Sequence, residues 1–130
     1  MCTPSDFRIL VVDDIEDNLF LLRTVLETEG YEVETAGNGG SALAKVENAP
    51  PDLILMDVMM PDMNGYEVTK KIRQNPDLPL MPILIVTAYD TLQTSQGLSL
   101  EPSNFIRKPI EFDQLLTKVA ALLEANHHHH

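Results

Sequence analysis

The chain has 130 residues; His127 to His130 read as the remnant of a purification tag, and the rest is the length of one ordinary domain. With 44% hydrophobic residues, and 9 Lys+Arg against 20 Asp+Glu for a formal charge of −11, it reads as a soluble globular protein whose surface disfavours nucleic acid and anionic lipid. One cysteine, Cys2, allows no internal disulfide and fits a reducing, cytoplasmic setting; no apolar run is long enough to span a bilayer, and Met1 to Asp6 lacks a secretion signal's pattern.

Apolar runs and helical stripes alternate along the chain. Phe7 to Val12 is too dense in apolar residues for a half-exposed strand and reads as a buried one, stopped by Asp13-Asp14. Ile15, Leu19, Leu22 and Leu26 then recur at helical spacing, and Gly30 ends that helix in the left-handed conformation. Tyr31 to Ala36 alternates apolar and polar, as a strand near a sheet edge does. Ala42, Leu43 and Val46 mark a second helix, closed by Pro50-Pro51. Asp52 to Asp57 is a central strand, apolar between two carboxylates. After a loop from Pro61 to Gly65, Tyr66, Val68 and Ile72 carry a third helix that must stop before Pro76. Pro82 to Thr87 is the fourth strand, residues 90 to 102 a marginal fourth helix, and Asn104 to Arg107 a brief fifth strand. Phe112, Leu115, Leu116, Val119, Leu122 and Leu123 form the last helical stripe. Five strand–helix repeats predict an α/β fold: a parallel sheet with five helices on both faces, joined by right-handed crossovers.

Ligands of open α/β sheets bind beyond the carboxyl ends of the strands. The first strand delivers Asp13 and Asp14 there, the third Asp57, the fourth Thr87, the fifth Lys108; the second delivers only Gly37-Asn38-Gly39-Gly40. Asp often ends strands merely to start turns or cap helices, and Asp14 before Ile15 suits an N-cap. Three converging carboxylates, however, repel one another, and a hard divalent cation offsets that better than water or one Lys. Mg²⁺ takes one or two carboxylates, keeps several waters and shares phosphate oxygens. With a Lys and a hydroxyl these are parts for phosphoryl transfer, in which a carboxylate can be the nucleophile.

Val11-Val12-Asp13-Asp14, Asp57 to Gly65 (DVMMPDMNG), Thr87-Ala88 and Lys108-Pro109, in this order and spacing, resemble the receiver domain of two-component response regulators over residues 7 to 125, after a tail of residues 1 to 6. The resemblance implies a five-stranded flavodoxin-like fold with strand order 2-1-3-4-5. It implies that Asp57 is the phosphoacceptor and that Asp13, Asp14 and the Met59 carbonyl hold Mg²⁺ with it. Thr87 and Lys108 would each contact a phosphoryl oxygen, and Phe105 falls at the family's switch aromatic position. Met59 and Tyr89 fall where the family flanks the path of the hydrolytic water; both are bulky, so slow self-dephosphorylation is expected. Glu101-Pro102 stands where receivers usually carry Gly-Ala, so that loop is expected to differ.

The implied function is a phosphorylation-dependent switch that takes its phosphoryl group from a sensor histidine kinase or a histidine phosphotransfer protein. It then regulates a downstream protein through the face of the fourth helix, fifth strand and last helix. No external-substrate enzyme is implied; the chain is expected to be a monomer or weak dimer, and its Met1 start slightly favours a stand-alone protein over an excised one. A flavodoxin-like cofactor binder would need a phosphate-cradling first loop, and Asp13-Asp14-Ile15-Glu16-Asp17 repels phosphate unless a metal intervenes. A metal-dependent phosphatase of small molecules would want a cap insertion that the chain lacks. A degenerate receiver that only binds partners would not need all five site residues. Asn18, one turn after Asp14, is read as an exposed helix residue although its amide could reach the acidic rim. Met56 is read as core filling.

Overall fold

Each strand of the sheet starts one residue later than its apolar run. In the computed structural model, which describes residues 7–57, 65–78, 81–87, 105–107 and 111–127, the strands are β1 (Arg8–Val12), β2 (Glu32–Ala36), β3 (Leu53–Asp57), β4 (Ile83–Thr87) and β5 (Phe105–Arg107). The residue before a strand still serves it: Pro82 has no N–H to give, but its carbonyl accepts the Ile54 N–H at 3.0 Å. All pairings are parallel, in the order β2-β1-β3-β4-β5. β3 lies in the middle and is buried at every position, as its unbroken apolar run requires. β2 is an edge, where Glu32 and Glu34 stay exposed between half-buried or buried neighbours.

The connecting helices are α1 (Glu16–Thr28), α2 (Gly39–Asn48), α3 (Gly65–Gln74) and α4 (Phe112–His127). Gly30, with φ 99°, follows α1 in the left-handed region that an L side chain enters at a cost. Asn38 caps α2, its side-chain oxygen accepting the Ser41 N–H at 2.7 Å. α3 ends two residues short of Pro76. The helix expected over residues 90 to 102, with its Glu101-Pro102 loop, lies outside the described residues.

Strand alternation divides the core into two layers. Leu10, Val12, Ile54, Met56 and Ile85 pack with Ala42 and Val46 of α2 and Val68 and Ile72 of α3. Ile9, Val11, Leu53, Leu55, Leu84, Val86 and Ile106 pack on the opposite face with Leu22 and Leu26 of α1 and Leu115, Val119 and Leu123 of α4. Truncating a fully buried Leu such as Leu26 to Ala costs about 2–5 kcal/mol in such a layer. Met56 fills the first layer, fully buried. At the amino end of the sheet, the Arg8 N–H donates to Asp52 Oδ2 at 2.7 Å and the Asp52 N–H donates to the Arg8 carbonyl at 2.8 Å. The Arg8 guanidinium also donates to the Ala49 carbonyl. This clamp joins the start of β1 to the turn before β3. Among the described residues no helix is long and apolar enough to cross a membrane.

Candidate functional site

Sheet register decides which carboxylates meet. Val12 pairs with Met56, so the next residues, Asp13 and Asp57, stand level at the carboxyl edge of adjacent strands. Their side chains have the parity of Ile9 and Val11, and of Leu53 and Leu55, which face the α1–α4 layer. Both Asp side chains therefore lie on the side where α1 begins. Each of the two residues is 3% exposed. Asp14 is exposed, yet one carboxylate oxygen from each of Asp13, Asp14 and Asp57 lies within 4.8 Å of the others.

Asp13 is anchored through both its backbone and its side chain. Its backbone N–H donates to the Ala36 carbonyl at 3.1 Å, and its Oδ1 accepts the Ile15 N–H at 3.0 Å. Burial pushes the Asp13 carboxyl up to about 6 from 3.8; the Ile15 N–H opposes that rise, the charge of Asp57 adds to it, and Asn18 opposes it.

The N-cap role suggested for Asp14 falls elsewhere. Ile15 occupies the N-cap position of α1 with no side-chain cap, and Asp13 takes the N–H of that residue. Asn18 also differs from its sequence reading: it is half-buried rather than exposed.

A cluster of hard oxygen donors, two of them buried and all of one sign, fits Mg²⁺: each carboxylate offers a ligand atom, and the cation removes the repulsion among them. Thr87 ends β4, paired with Arg107, and Phe105 begins β5, paired with Ile85. The side chains of Thr87 and Phe105, and the whole of Met59, Tyr89 and Lys108, lie outside the described residues.

The family model described as the response regulator receiver domain matches residues 9–120. Response regulator PleD of Caulobacter vibrioides is 45% identical over 116 residues, covering 88% of this chain and 26% of PleD, so the chain spans about a quarter of that relative's length. Protein PilH of Pseudomonas aeruginosa is 33% identical over 118 residues, covering 89% of this chain and 97% of PilH. Among solved structures, response regulator TrrA of Thermotoga maritima, in complex with Mg(2+)-BeF, superposes with a TM-score of 0.76 at 36% identity, covering 89% of this chain and 98% of TrrA.

Proposed function

The chain belongs to the response regulator receiver domain family, and on that footing we propose that it is a two-component signalling switch phosphorylated on Asp57. The observation that carries this reading is the convergence of Asp13, Asp14 and buried Asp57 at the carboxyl edge of a parallel sheet. TrrA, whose fold superposes, was solved with Mg(2+)-BeF, which supports the same chemistry here.

A carboxylate oxygen of Asp57 attacks the phosphorus of a phosphohistidine on a sensor histidine kinase or a histidine phosphotransfer protein. The new P–O bond forms as the P–N bond breaks, and the electron pair of that bond leaves with the donor's imidazole. Asp13, Asp14, Asp57 and the Met59 carbonyl would hold Mg²⁺, which when bound would supply charge neutralisation for the transferring group. Lys108 pairs its ammonium with one phosphoryl oxygen, and the Thr87 hydroxyl donates to another. Asp13 sits still through the reaction because its Oδ1 is fixed by the Ile15 N–H at 3.0 Å. Movement of Thr87 toward the phosphoryl group leaves room for Phe105 to turn inward, a two-state change that alters the β5 surface read by a downstream protein. The reading places residues 7–125 in one receiver domain that acts in the cytoplasm, as a monomer or weak dimer, without direct contact to nucleic acid or membrane.

Intact mass after incubation with acetyl phosphate and Mg²⁺ tests this. The expected result is a gain of one phosphoryl group by the wild type and none by Asp57→Ala. A gain that survives Asp57→Ala places the acceptor elsewhere.

A further inference from the structure

Ile15 stands at the N-cap of α1 without a side chain that can cap it. Ser, Thr, Asp or Asn at that place would turn an oxygen onto the first N–H groups of the helix. The polar contacts of Ile15 are all made by its main chain. Its carbonyl accepts the Asn18 and Leu19 N–H groups, each at 3.1 Å. Its N–H, outside the helix ladder, donates to Asp13 Oδ1 at 3.0 Å. The backbone between them, at φ −99° and ψ 115°, has the extended conformation that a β-branched residue favours.

Asp13 is therefore tied on two sides. Its own N–H donates to the Ala36 carbonyl at the end of β2, and its carboxylate is tied to the start of α1. At 3% exposure it has little room to swing into water. Asp14 stands between Asp13 and Ile15 and is exposed. The cluster thus combines one buried carboxylate set by the main chain with one carboxylate in solvent.

We propose that the main-chain N–H of Ile15 is a positioning group that sets the preference of this site for Mg²⁺ over Ca²⁺. The inference rests on reading Asp13, Asp14 and Asp57 as a Mg²⁺ site and adds the selectivity of that site. Mg²⁺ demands nearly ideal octahedral geometry at short bonds. Ca²⁺ accepts longer bonds, irregular angles and both oxygens of one carboxylate. A ligand oriented in advance favours the ion that needs accurate geometry. A carboxylate released from the Ile15 N–H could turn to suit Ca²⁺ and would hold Mg²⁺ less well. Partners that hydrogen-bond a metal ligand change affinity by roughly 10–100-fold when removed. Here the loss should fall mainly on Mg²⁺.

The test replaces one N–H by oxygen. Incorporating the α-hydroxy acid counterpart of isoleucine at position 15 of the whole chain gives an ester that keeps the side chain and deletes the donor. The same amide-to-ester change at Leu19 is the control. It deletes another N–H of that turn, the one donated to the Ile15 carbonyl at 3.1 Å, and leaves Asp13 its partner. Ile15→Pro deletes the same donor where the extended backbone lies near the range proline adopts, so it gives the reading should the ester chain fold poorly. Isothermal titration of Mg²⁺ and of Ca²⁺ supplies the dissociation constants, and the apo melting temperature in chelator shows that each variant is folded. The wild type should bind Mg²⁺ more tightly than Ca²⁺. The ester at Ile15 should raise the Kd for Mg²⁺ about tenfold and that for Ca²⁺ distinctly less, while the ester at Leu19 leaves the ratio of the two constants unchanged. Unchanged Mg²⁺ affinity, equal weakening of the two ions, or the same change of ratio from the Leu19 ester overturns the role of the Ile15 N–H while the metal site stands. A wild type that binds no Mg²⁺ removes the metal-site reading and this role with it.

Discussion

Asp13→Asn should make the metal-free protein more stable at neutral pH. The Asp13 carboxyl titrates near 6 in the folded state against 3.8 in an unfolded chain. Between those values the folded state holds a proton that the unfolded state has released, so stability falls as pH rises through this window and the loss is complete above pH 6. The gap, about 2.2 pH units, corresponds to about 3 kcal/mol. Asp13 is 3% exposed, so solvent screening takes little from that figure. Asparagine carries no charge, keeps an oxygen that can accept the Ile15 N–H, and removes the repulsion with Asp57.

Urea unfolding followed by far-ultraviolet circular dichroism, in chelator, measures the difference across the pH range. At pH 7.5 the variant should exceed the wild type by about 3 kcal/mol, and at pH 3.5, where wild-type Asp13 is mostly protonated in both states, the two should nearly coincide. A difference that does not change with pH would refute the reasoning, because it would show that the charge on Asp13 is not what costs stability. A variant less stable than wild type at pH 7.5 would show that the hydrogen bonds of the carboxylate outweigh its desolvation.

Mg²⁺ at ten times its dissociation constant should stabilise the wild type by about 1.4 kcal/mol; a thermal melt of Asp13→Asn should show a much smaller shift. Gly30→Ala forces a side chain into the left-handed region and should lower unfolding free energy by about 1–2 kcal/mol, measured by urea titration. Asp52→Ala leaves the Arg8 N–H without its carboxylate and should cost about 1–2 kcal/mol by the same assay, with the Mg²⁺ dissociation constant unchanged by calorimetry. Replacing Met59 with Asn and Tyr89 with Glu gives the hydrolytic water polar partners. A phosphate-release assay should show loss of phosphate accelerated about tenfold, equivalent to roughly 1.4 kcal/mol off the barrier.

Most of the architecture was legible because it depends on patterns that neighbours in sequence carry. The unbroken apolar run Leu53–Met56 marked the central strand, and the alternation of Tyr31 to Ala36 marked the edge. Gly30 stopped α1 and Pro76 bounded α3 for reasons internal to the backbone. The three carboxylates were legible as ends of strands, since that needs only the direction of a parallel sheet. Two things were not. Strand starts ran one residue long, because Asp52 and Pro82 look like part of the run but join the sheet only through loop hydrogen bonds. Asn18 looked solvated but is half-buried, because which side of the first turn of α1 meets the sheet depends on packing between elements and not on neighbours in sequence.

The meeting of Asp13 with Asp57 exists only in one register. Side chains alternate along a strand, so moving Asp13 or Asp57 by one position would turn its carboxylate to the α2–α3 face, away from α1 and Asn18. The pairing of Val12 with Met56 is held at the amino end and from both sides. Arg8 and Asp52 exchange hydrogen bonds at the amino end, and the two apolar layers lock the strand between them. A slip would expose every apolar side chain of β1 to the wrong layer, a penalty far above the value of one hydrogen bond. The clamp therefore contributes stability while the layers set alignment. For this reason loss of the Asp52 carboxylate should weaken the fold and leave the three clustered carboxylates, one strand length away, where they stand.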